Sequence, residues 1–136
     1  MKLTGSKVAL ISLTATLWIV GCSASGGSSG AQTPASATGD LAMTIAFSPS
    51  PPKQGNETIT ISLKDAGGSA AKGATVRIAT KMPDMAMTGP TILAQDNGDG
   101  TYSAVANLSY QTKWVFDVTA SFGGKSSSAE FVNEVK

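Results

Sequence analysis

Three methionines, Met82, Met85 and Met87, fall within six residues of the string Lys81-Met82-Pro83-Asp84-Met85-Ala86-Met87-Thr88-Gly89-Pro90. Thioether sulfur is neutral, polarizable and free of protons at physiological pH, a donor chemistry that selects Cu(I) over Zn(II) or Mg(II). In an extended loop Met85 and Met87 point to one side, and Met82 must fold around Pro83 to join them in a trigonal site. Methionine is also a gap-filling apolar side chain, so the same residues fit packing at the end of a domain or an adaptable partner surface. Asp84, the nearest carboxylate, is a hard donor and a poor Cu(I) ligand.

Little other chemistry is on offer. The 136 residues include no histidine, which removes the Ser-His-Asp triad, His-ligated zinc and an imidazole base from consideration. The cluster Asp96, Asn97, Asp99 has the oxygen donors that calcium takes. Its spacing misses the alternating calcium loop, however, and the run Asp96-Asn97-Gly98-Asp99-Gly100 reads as a hairpin turn in which the glycines supply positive φ. Acidic residues otherwise sit singly, and the chain is not expected to be an enzyme. Ten Lys and Arg against nine Asp and Glu leave no basic stripe for nucleic acid.

The only cysteine is Cys22. It follows a basic head, Lys2 and Lys7, and a mostly apolar run over residues 8–20, short of the roughly 20 residues that a membrane span needs. The string Ile19-Val20-Gly21-Cys22 resembles the bacterial lipobox. Residues 1–21 are therefore expected to be a lipoprotein signal peptide, with the Cys22 thiol taking a diacylglyceryl group after cleavage. The mature chain is then held to a membrane through lipid on Cys22, extracytoplasmic in a bacterial cell envelope, on the periplasmic side or the cell surface. Each buried methylene contributes about 0.8 kcal/mol to that anchoring. Cleavage takes two of the ten basic residues, leaving eight against nine acidic ones.

Residues 22–39 consist of the acylated cysteine and then small or polar residues with no large apolar side chain. That composition reads as a flexible tether, with a root-mean-square reach of roughly 20 to 25 Å. From residue 40 to 136 apolar residues recur every second position: Leu41, Met43, Ile45, Phe47; Ile59, Ile61, Leu63; Val76, Ile78; and Trp114, Phe116, Val118, Ala120. Residues 91–95, 101–108 and 127–135 supply three further strand candidates. Seven short antiparallel strands punctuated by Gly and Pro predict an all-β, immunoglobulin-like β-sandwich. Trp114 and Tyr102 are expected in its core.

The ordered motifs Pro52-Lys53-Gln54-Gly55-Asn56-Glu57-Thr58-Ile59, Ala74-Thr75-Val76, Met82-Pro83-Asp84-Met85-Ala86-Met87, Gly98-Asp99-Gly100-Thr101-Tyr102 and Trp114-Val115-Phe116-Asp117-Val118 resemble the YtkA-like domain family, which overlaps in description with FixH-type proteins. The likeness covers about residues 42 to 122. It implies an immunoglobulin-like fold and an extracytoplasmic role in copper handling or the assembly of membrane oxidases. Family members often carry a further methionine or glycine before the tryptophan; here Leu108-Ser109-Tyr110-Gln111-Thr112-Lys113-Trp114 has neither. Two functions follow. One is a lipid-anchored binding module handling Cu(I) through Met82, Met85 and Met87, for copper delivery, tolerance or oxidase assembly, with a membrane or copper-handling protein as partner. The other is a metal-free scaffold domain docking a membrane partner through the same loop.

Overall fold

The computed structural model describes residues 30–136. The expected signal peptide and Cys22 lie outside the described residues.

Alternating apolar residues build two facing antiparallel sheets. One holds β2 (Ala42–Ser48), β3 (Gly55–Lys64), β7 (Thr101–Leu108) and β6 (Gln95–Asp96), in the order β2-β3-β7-β6. The other holds β1 (Ser36–Thr38), β9 (Lys125–Glu134), β8 (Lys113–Phe122), β4 (Thr75–Met82) and β5 (Met87–Leu93), in the order β1-β9-β8-β4-β5. The trio β2-β3-β7 facing β9-β8-β4 is the A-B-E and G-F-C pairing of immunoglobulin-like sandwiches. The fold is thus the β-sandwich that the alternation implies.

Each strand turns one face inward, as its two-residue period requires. Ile45, Ile59, Ile61 and Leu63 from one sheet meet Val76, Ile78, Phe116, Val118 and Phe131 from the other, all essentially without solvent exposure. Burying a side chain of this size contributes about 1.5–3 kcal/mol. Phe47 and Phe116 lock the sheets together with ring centroids 5.1 Å apart and planes tilted by 57°. Trp114 and Tyr102 are both buried, as expected.

Two short strands correct the expectation from sequence. The tether was expected to run to Gly39, yet Ser36–Thr38 pairs with β9, and Gln32 exchanges backbone hydrogen bonds with Ile45 at 2.7 and 3.1 Å. Pairing at an edge needs backbone groups rather than apolar side chains, so small polar residues suffice; Thr38 and Ser128 add a hydroxyl contact at 2.9 Å. The segment thereby joins the open edges of both sheets. The strand expected over residues 91–95 instead starts at Met87, and the chain changes sheets at Ala94, where Gln95–Asp96 pairs with β7.

The turn between β6 and β7 is held by its own polar groups. Asp96 Oδ1 accepts from the Gly98 amide at 2.7 Å, and Asp99 Oδ1 accepts from the Thr101 amide at 2.9 Å. The Thr101 hydroxyl and amide, donating to Asp99, hold that carboxyl below its ordinary pKa. Gly100, at φ 90°, packs so closely on Ala70 that a Cβ there would lie 2.6 Å from the alanine methyl. The acidic cluster is satisfied as a turn.

Tyr102 ties this turn to the chain that crosses between sheets: its hydroxyl donates to Ala71 O at 2.7 Å and accepts from the Ala74 amide at 2.9 Å. Tyr102→Phe leaves the buried Ala71 carbonyl and the half-buried Ala74 amide short of a partner, so stability falls by about 1–3 kcal/mol. Urea unfolding measures this, and an unchanged midpoint would contradict it.

Candidate functional site

The methionine string forms the tip of the β4–β5 hairpin. Pro83–Met85 is a single 3-10 turn, with Pro at its first position where a missing N–H costs nothing. Ala86 ends the turn in the left-handed region, at φ 51° and ψ 35°. The chain then reverses into β5, an edge strand, where Pro90 is tolerated because no further strand needs its N–H.

The register of this hairpin shifts by one residue along its length. Arg77 faces Leu93, Ile78 faces Ile92 and Ala79 faces Thr91, but beyond the irregularity Lys81 faces Thr88 and Met82 faces Met87. Gly89 and Pro90 together oppose Thr80, which is a β-bulge. The buried Thr80 hydroxyl donates to Pro90 O at 3.1 Å. That hydroxyl fills the space a side chain at position 89 would take: a Cβ on Gly89 would lie 2.2 Å from Thr80 Oγ1 and 3.6 Å from the Trp114 ring.

The sequence-derived site residues are brought together in a different way from the one expected. An extended loop would have aligned Met85 with Met87, whereas the 3-10 turn separates them and the bulge sets Met87 opposite Met82. Directly opposed residues on antiparallel strands carry their side chains on the same face, with Cβ atoms about 5 Å apart. Met82 is 3% exposed and belongs to the core, while Met85 and Met87 are each 42% exposed. The cluster is graded: one sulfur inside, one opposite it at the rim, one on the turn above. Asp84 is exposed on the same turn.

Trp114 stands behind this hairpin. Its indole Nε1 donates to Tyr110 O at 2.9 Å, and the ring stacks near Phe116 with centroids 6.4 Å apart. Outside the hairpin, Lys81 pairs with Asp117 on the outer face of the sheet, and this carboxylate raises the lysine pKa above its ordinary value.

Two buried polar residues at the same end escaped the sequence reading. Glu57 accepts from the Lys53 amide through Oε1 at 2.7 Å, while its Oε2 and the Nδ2 of Asn133 have no hydrogen-bond partner among the described residues. Their spacing was the available signal: Glu57 continues the inward series of Ile59 and Ile61, and Asn133 that of Ala129 and Phe131. Among the described residues no group of three or more His, Cys, Asp or Glu is placed to hold a metal ion.

The bulge makes a specific demand at position 89. Gly89→Ala forces a methyl onto a β-branched neighbour that has little rotamer freedom, at a cost of about 1–3 kcal/mol. Amide exchange is expected to quicken at Thr88 and Met82 more than in β3. A variant as stable as the parent, with unchanged exchange, would show that the bulge does not fix this hairpin.

Among solved structures, the soluble domain of PmoD from Methylocystis sp. strain Rockwell aligns over 73% of this chain and 94% of that one, at 14% identity and a TM-score of 0.49. No curated protein matches the chain. The YtkA-like profile matches residues 36–119, more than half of the sequence, from β1 into β8 and across the whole methionine hairpin; the chain belongs to the YtkA-like family.

Proposed function

We propose that this domain is a binding module, not an enzyme, that holds Cu(I) through the thioethers of Met82, Met85 and Met87. It works outside the cytoplasm, anchored through lipid on Cys22, and accepts or passes the ion in copper delivery, tolerance or oxidase assembly. The observation that carries this reading is the register: Met82 and Met87 oppose one another on one face, with Met85 in the turn that connects them. Methionine has three side-chain torsions beyond its backbone, enough freedom for opposed residues to turn their sulfurs toward a shared ion. Neutral soft donors bind Cu(I) without releasing protons, so affinity is nearly independent of pH across the range where histidine sites titrate.

The burial of Met82 favours a second reading. If its sulfur serves only the core, Met85 and Met87 remain as an adaptable apolar surface for a protein partner. The two readings separate in an anaerobic competition titration against a chromogenic Cu(I) chelator. Changing Met82, Met85 and Met87 together to Leu keeps most of the apolar volume and removes the sulfurs. The copper reading expects the triple variant to bind at least about tenfold more weakly, or about 1.4 kcal/mol, and Met82→Leu alone to lose part of that affinity. A parent with no measurable affinity, or a triple variant that retains it, would favour the metal-free scaffold.

A further inference from the structure

We infer that the methionine end of the sandwich is the end that faces the lipid bilayer, with Met85, Met87 and Tyr110 resting on the membrane surface. This rests on the proposed anchoring through Cys22 and does not require copper. The carrying observation is where the chain enters the domain. Gln32 pairs with Ile45 antiparallel to β2, so the chain traced backward from Gln32 runs as β2 runs forward, toward Phe47 and Ser48. That is the methionine end. Val135 and Lys136, just past the end of β9, bond there to Thr112 and to Pro52 in the loop after β2, and Gln54 donates from that loop to Ser109 O beside Tyr110.

Length then decides the orientation. Seven residues lie between Cys22 and Gly30, and the eight residue-to-residue steps, at no more than about 3.6 Å each, span at most about 29 Å. The opposite end of the sandwich, at the Gly123-Gly124 turn, lies a full β8 strand away, about 30 Å at about 3.3 Å per residue. To set that end on the membrane, the connection would have to run fully extended along the whole domain. The methionine end needs no such stretch.

The surface at that end suits the contact. Met85, Met87 and Tyr110 are each a little over 40% exposed, and tyrosine with its apolar ring and polar tip favours the membrane interface. Of the other exposed large apolar residues among those described, Leu93 lies at the far end of β5, and Val105 and Val132 sit at outward positions of β7 and β9.

Photo-crosslinking tests the orientation. A photoreactive amino acid is substituted at Asp84 or at Ser126, both exposed and at opposite ends. The full chain is recovered from a bacterial envelope and placed in vesicles of phosphatidylethanolamine and phosphatidylglycerol. Mass spectrometry of the Cys22 peptide reports acylation separately; if the thiol is free, it is coupled to a maleimide lipid so that the orientation is tested in either case. Lipid adducts at position 84 and none above the dark control at position 126 are expected. Adducts at 126, equal yields at both, or none at either would overturn the inference, while an unacylated Cys22 would overturn only the natural anchor.

Discussion

The site depends on one irregularity in the backbone, the bulge that sets Gly89 and Pro90 against Thr80. Side chains on a strand alternate between faces, so a one-residue change of register decides which residue meets which. Continued without the bulge, the pairing of Ala79 with Thr91 would have put Met82 opposite Thr88. With it, a buried sulfur faces an exposed one. The bulge is itself held by the Thr80 hydroxyl on Pro90 O, in a space left open because residue 89 has no side chain.

Everything else in the fold supplies a rigid frame for that hairpin. β4 is a central strand, fixed on its other side by seven register pairs with β8, and β8 carries the Trp114 ring that stands behind Gly89. The tip alone projects from this frame, turned by Pro83 and the left-handed Ala86. Met85 and Met87 are thus half-exposed side chains at the end of a hairpin whose β4 strand is paired on both sides. Such an arrangement suits a module that must exchange what it holds. On the copper reading proposed above, the thioethers could turn without unfolding the strands beneath them.

Much of the fold was legible because burial imposes a period of two. The series from Leu41 to Phe47, from Ile59 to Leu63 and from Trp114 to Ala120 fall on inner faces as their spacing implies. What periodicity cannot carry was missed. Ser36–Thr38 pairs through its backbone alone, so its side chains gave no signal. Pro90 is compatible with β5 because that strand is an edge, but nothing in the apolar spacing marks its start at Met87, ahead of the expected residues 91–95. At the site, the three methionines stood out by composition, whereas their pairing depends on a bulge made by Thr, Gly and Pro, residues with no place in an apolar pattern. Glu57 shows the converse: its spacing marked an inward position that its charge concealed.

The central claim is that this end of the sandwich presents a ligand set made only of sulfur. X-ray absorption at the copper edge of the Cu(I)-loaded chain examines it most directly. The account predicts a first shell of sulfur scatterers alone, with the edge feature of three-coordinate Cu(I). A shell dominated by oxygen or nitrogen would contradict it, since it would place the ion on carboxylates or backbone groups and leave the methionine register without a chemical role.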